Sequence, residues 1–267
     1  MTHATGTRSL RDALAAERAD DSIAGIARVA LSERDPRVEC PRYMTALTQV
    51  IASEAPAFGS PTYEEVYRSA AVNGQWLAVS LITNSSGEGD GARRLWSLAA
   101  CAPNDHERQL LKRHAVDESR HALAYLSLLD LAFPGAVEPA FRAQLNDLSP
   151  HWTMAKEVFP VEGSPYARKP TIDDYIQMNI SEMRTTIHHT LQREALALHC
   201  PEEHQDRITA ILDSLLRDEL NHVCYTAELI EEKAAAMDEA KFHALFAKRM
   251  HDFSDITREE LGQLKFE

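Results

Sequence analysis

Apolar positions recur at three- and four-residue steps along most of the chain, and no segment alternates as a strand does, so the pattern predicts an all-α protein. Residues 8–32 read as one or two amphipathic helices, broken near Asp20-Asp21 and closed by Asp35-Pro36. Pro41 to Ala55 reads as another, ended by Pro56 and Gly59. Ser60-Pro61-Thr62 starts a helix with Glu64 and Glu65 in its first turn, where the helix dipole favours acid; it runs to about Thr83. Pro103-Asn104-Asp105 starts the next, which reaches about Leu131 and stops at Phe133-Pro134-Gly135. Six prolines and five aromatic residues in 133–170 predict a long crossover with one short helix at 138–147. Thr171-Ile172-Asp173-Asp174 caps a helix to about His199, and Cys200-Pro201 turns into the last long helix, ending near Met237. One or two short helices follow over 238–267.

The segment Asn84 to Gly91 holds three glycines within five residues. It reads either as a turn between two helices or as one long helix broken or bulged at Gly87–Gly91.

Charge and composition narrow the possibilities. Acidic residues number 41 against 28 basic, which argues against a track for nucleic-acid phosphates. No apolar run has the ~20 residues that span a bilayer. The stretch from Met1 to Asp21 is interrupted by charge at Arg8, Arg11-Asp12, Glu17-Arg18 and Asp20-Asp21, so it lacks the apolar centre of a signal peptide. Cys40, Cys101, Cys200 and Cys224 are scattered, with no CxxC pair, and read as reduced thiols of a cytoplasmic protein.

The chemistry concentrates in two pentapeptides: Asp117-Glu118-Ser119-Arg120-His121 and Asp218-Glu219-Leu220-Asn221-His222, about 100 residues apart. Residues three apart share a helix face, so each Glu-His pair offers two ligands to one metal ion. In a tight antiparallel hairpin, residues equally distant from the turn lie at the same height. Counted outward from the Cys200-Pro201 turn, Glu219 on one arm stands level with Glu182 on the other; Glu194, on the same arm as Glu182, is too near the turn. Counted outward from the Ala102-Pro103 turn, Glu118 stands level with Gly87, beside Glu88. The glycine-rich stretch thus falls at metal height, favouring an interrupted helix whose glycines leave space for dioxygen or substrate. The ligand set is Glu88, Glu118, His121, Glu182, Glu219 and His222. Four carboxylates with two imidazoles suit two iron ions, with manganese an alternative, better than zinc or copper. Asp117 and Asp218 are placed to accept the second ring N–H of a ligand histidine and hold its tautomer.

These residues resemble the ligand set of ferritin-like di-iron carboxylate proteins, over roughly residues 64–236. That family includes ferritins, rubrerythrins, ribonucleotide reductase small subunits, multicomponent monooxygenases and smaller di-iron oxygenases of biosynthesis. The resemblance implies a ferritin-like four-helix bundle at 61–237 with its crossover at 133–170. Helices at 1–60 would pack on it and a helical tail at 238–267 would complete one domain. It further implies a non-heme di-iron oxygenase or oxidase that uses O2 to oxidise a small organic substrate by hydroxylation, amine N-oxygenation or desaturation. An external electron donor would accompany it. Neither nucleic acid nor membrane is expected as a partner; helical faces at 8–55 offer a possible homodimer contact. Ferroxidase or peroxidase chemistry of the ferritin–rubrerythrin type is the alternative, although the chain is longer than a bare bundle and lacks rubredoxin-type cysteine pairs. A radical-generating, ribonucleotide-reductase-like protein is another. Tyr125, one turn past His121, is then either a core tyrosine or, as in those reductase subunits, a radical site near the metals. A non-enzymatic scaffold remains the bland reading, which the mutual repulsion of stacked buried acids disfavours. His188 and His189 read as extra ligands, proton relays or plain core and surface histidines. Arg120 and Arg184 read as partners of the buried acids or as solvent-facing ion pairs, and Trp76, Trp96 and Trp152 as packing.

Overall fold

Capping residues and prolines set most of the helix starts. The structure, a computed structural model, describes residues 22–34, 39–150 and 163–264. Among them are nine α-helices and no strand. In chain order these are α1 (Ser22–Arg34), α2 (Pro41–Ser53), α3 (Pro61–Ala71), α4 (Gly74–Ala100) and α5 (Asp105–Ala132). They are followed by α6 (Pro139–Leu145), α7 (Ile172–His199), α8 (Gln205–Ala234) and α9 (Glu239–Leu264). No helix of the described residues is long and apolar enough to cross a membrane. The expected helix before residue 22, its closure at Asp35-Pro36, and Trp152 lie outside the described residues.

Two boundaries differ from expectation. The helix beginning at Pro61 stops at Ala71, and a new one starts at Gly74. Asn73 makes the break: its side-chain carbonyl accepts the N–H groups of Gln75 (2.9 Å) and Trp76 (3.2 Å), satisfying donors that a helix start leaves open. From there α4 continues unbroken for 27 residues, straight through Gly87, Gly89 and Gly91, with neither turn nor bulge. Each glycine costs a helix about 1 kcal/mol relative to alanine. Burial of Leu77, Leu81, Ala92, Leu95, Trp96 and Leu98 against α5 and its surroundings offsets that cost. The tail likewise forms one 26-residue helix, α9, rather than one or two short ones.

The chain divides into two compact units. The first comprises residues 1–69, 171–192 and 213–267. Here α9 packs on α2, where the Tyr43 ring meets Phe246 edge-on at 5.9 Å. Tyr43 also donates its hydroxyl to the Asn179 side chain of α7 at 2.9 Å. Asn179 in turn donates to the Val223 carbonyl and the Thr226 hydroxyl of α8, both at 2.9 Å, pinning α7 to α8. The start of α7 is capped reciprocally: Asp174 accepts from the N–H (2.8 Å) and hydroxyl (2.6 Å) of Thr171. Arg249 of α9 grips the Asp173 carboxylate with two donors.

The second unit comprises residues 70–170 and 193–212, built around the α4–α5 pair. The Ser85 hydroxyl donates to the Ala122 carbonyl at 2.7 Å, tying the two helices together. A 3₁₀ turn, Asn146–Leu148, lies against both, and the Ser149 hydroxyl donates to the Ser119 carbonyl at 2.6 Å.

Candidate metal centre

Each unit carries its own cluster of acids and imidazoles. In the second unit, His114, Glu118 and His121 follow one another on α5 at steps of four and three, so they share one face. Their exposures are 1%, 6% and 0%. Glu88, half-buried, reaches them from α4 and hydrogen-bonds to Glu118. His114 Nε2 lies 3.1 Å and His121 Nδ1 3.6 Å from the same Glu118 Oε1. Glu88, Glu118 and His121 each place a ligand atom within 4.8 Å of the others. Burial pushes the Glu118 carboxyl up, but the hydrogen bonds from Glu88 and His114 and the charges of His114 and His121 outweigh it. The net result lies well below the usual carboxylate range. A hydrogen bond between two carboxyl groups requires a proton between them; a cation in that place satisfies the same pair.

In the first unit, Glu182 on α7 and Glu219 and His222 on α8 converge. His222 Nδ1 is 3.3 Å from Glu219 Oε2 and 4.0 Å from Glu182 Oε2. His189, two turns past Glu182 on the same face, puts its Nε2 3.9 Å from Glu219 Oε1. Glu219 is fully buried, His189 and His222 are 2% exposed, and Glu182 is 7% exposed. The Asn179 link to α8 lies one turn before Glu182 and sets the height at which α7 meets α8. The Thr186 and Thr226 hydroxyls bond back to the carbonyls of Glu182 and His222, so these buried polar groups cost little.

All six residues singled out in the sequence therefore lie in these two clusters, three in each. His114 did not figure among them. The signal for it was available: it precedes Glu118 by one helical turn, on the same face. His189 lies beside Glu219, whereas His188 turns aside to meet the ring of Tyr67 edge-on at 5.0 Å. Burial, and then the charge of Arg184, bring the His188 pKa down to about 4, so this imidazole is neutral. Tyr125 is 1% exposed, one turn past His121. Asp117 is partly exposed and pairs with Arg120 at 2.7 Å, Asp218 is half-buried, and Arg184 pairs with Glu260 of α9. Glu194 is exposed.

The glycines have a use different from the expected one. A side-chain carbon at Gly89 would collide with the Leu148 carbonyl oxygen, and one at Gly91 would sit 3.3 Å from Glu118 Oε2. The space they leave is taken by the 146–148 turn and by the Glu118 carboxylate, not left open for dioxygen or substrate. Gly87 faces solvent with nothing within 4 Å of where a Cβ would be.

The ligand atoms of Glu88, Glu118 and His121 lie close enough together to share a divalent ion. Each cluster holds two carboxylates, all but the half-buried Glu88 removed from solvent, beside imidazoles of the kind that bind transition metals. Burying such acids is costly unless cations or protons neutralise them. No protein-family model matches the chain, and no significant match is found among curated proteins or solved structures.

Proposed function

We propose that this chain is a non-heme di-iron oxygenase or oxidase built on a ferritin-like four-helix bundle of α4, α5, α7 and α8. Glu88, Glu118 and His121 would hold one iron, and Glu182, Glu219 and His222 the other. The observation that carries the reading is the pairing of two largely buried Glu–Glu–His clusters, each anchored by an Asp-Glu-x-x-His motif on a long helix. When bound, two ferrous ions would supply the electrons that reduce dioxygen.

The chain's own residues do the rest. The carboxylates neutralise the ions, and the imidazoles complete their ligand sets. The buried Ser85, Ser119 and Ser149 hydroxyls, each bonded to an α5 carbonyl, keep the α5 face in place. Tyr125 and Leu126, buried just past His121 on α5, add apolar surface on that side. The substrate would be a small organic molecule, with a separate protein or small-molecule reductant.

The test is single-turnover exposure of the diferrous protein to oxygen with candidate amines, acids and aromatics, read by mass spectrometry of the products. Incorporation of labelled oxygen, or loss of two hydrogens, supports the reading. Protein that takes up no iron, or that keeps accumulating it far beyond two ions per chain without oxidising any organic molecule, defeats it; the second result favours storage.

A further inference from the structure

Helix α7 carries two polar side chains, His188 and Gln192, that the acid cluster of its unit leaves unused; they stand one turn apart on one face. Gln192 is fully buried, and among the described residues neither the oxygen nor the nitrogen of its carboxamide has a hydrogen-bond partner. Exchanging the two atoms changes nothing, since both lack one. His188 Nε2 is likewise sealed from solvent without a partner. The Tyr67 ring, edge-on at 5.0 Å, offers that imidazole a weak contact at most. Three such atoms within one helical turn run against the rule that buried polar groups are paired. We infer that His188 and Gln192 form a binding subsite for an uncharged organic ligand carrying an amide. The subsite is separate from the acids, and it stands whether or not they hold metal.

The chemistry of this stripe is neutral. His188 is uncharged, the buried Tyr67 phenol keeps its proton, and Arg184, one turn before His188, is already paired with Glu260. A charged group brought here would be buried without a counter-ion of its own. An amide instead makes two hydrogen bonds with Gln192: its N–H donates to the Gln192 oxygen, and its carbonyl accepts from the Gln192 nitrogen. The His188 nitrogen takes a further donor or acceptor of the ligand, according to its tautomer. The sealing that keeps water from these atoms also sets the route of entry. A ligand reaches them as the Tyr67 side of α3 parts from α7, a movement eased because it ends the isolation of three polar atoms.

The test uses the full metal-free chain and benzamide at millimolar concentration, with benzoate and toluene as charged and apolar counterparts. Benzamide should shift the side-chain amide resonances of Gln192 and raise the melting temperature; its counterparts should do neither. Gln192→Leu and His188→Phe should each weaken benzamide binding by about 10-fold or more. Without ligand, Gln192→Leu should melt no lower than the parent, because an apolar side chain of similar size replaces an unpaired amide. Benzamide that leaves the Gln192 resonances unmoved overturns the inference. So does a Gln192→Leu or His188→Phe variant that binds benzamide as well as the parent does. Toluene binding as tightly as benzamide marks an apolar cavity and overturns it too. No metal enters these measurements, so their failure is distinct from that of the iron reading, which iron uptake decides.

Discussion

Glu219 is fully buried beside a second acid and two imidazoles, and that placement costs the metal-free protein stability. Glu219→Gln keeps the shape and removes the charge. The variant should melt about 2–4 °C higher than the parent in chelator, the shift that ~1 kcal/mol gives a chain of this size, yet gain less on metal addition. A lower melting temperature in chelator would mean that the carboxylate is stabilised by protein alone. Glu118→Ala and His222→Ala should remove metal binding at their cluster while leaving helix content largely intact, as circular dichroism and metal analysis of the dialysed protein would report. Position along the helix was enough to place Glu118 beside His121 and Glu219 beside His222, because a three-residue step always shares a face. It was enough for Glu182 and Glu88 too, because a tight hairpin makes height countable from its turn. His189 stayed ambiguous beside His188: adjacent residues are about 100° apart around a helix, and only the packing of α3 and α8 shows which ring faces which.

Among the elements, α4 has the most to say. Its three clustered glycines read as punctuation, yet they sit inside a continuous helix because tertiary contacts override propensity. They are not equivalent. Gly87→Ala should raise the denaturant midpoint by an amount worth about 0.5–1 kcal/mol, because the site is exposed and helical with nothing nearby. Gly89→Ala should lower it, since the new methyl meets the Leu148 carbonyl and either the 146–148 turn or α4 must move. Equal effects from the two would contradict the close approach of the crossover. Helix α9 is held differently, by surface charge as well as by Phe242, Phe246 and Met250. The Arg258 hydrogen bond holds the Glu54 carboxyl below its ordinary value, and that of Lys248, with Arg249, does the same for Asp252. A carboxylate with a depressed folded-state pKa contributes fully above its unfolded value, near 4, and loses that contribution as pH falls through the folded value. Acid titration of helicity should therefore show α9 loosening below pH ~4, earlier in high salt. Arg258→Ala should flatten the part that Glu54 contributes.

At the level of the whole molecule, each of the two units holds a cluster of buried acids and imidazoles. If the acid clusters bind metal in the folded state only, saturating ferrous iron under anaerobic conditions must raise the unfolding temperature. At a hundred times the dissociation constant one site adds about 2.7 kcal/mol. A chelator should reverse the gain. Thermal unfolding indifferent to both would falsify the metal reading at its root.

The amino-acid order alone determined that this is a helical protein, where its two Asp-Glu-x-x-His motifs lie and which acids stand opposite them, because helical periodicity and hairpin counting are local rules. Tertiary structure decided the rest. It carried α4 through its glycines, since burial outweighed their entropy, and drew the tail into a single helix docked on α2. It also separated His189 from its neighbour His188, since only packing reveals which of two adjacent rings is turned toward the buried acids.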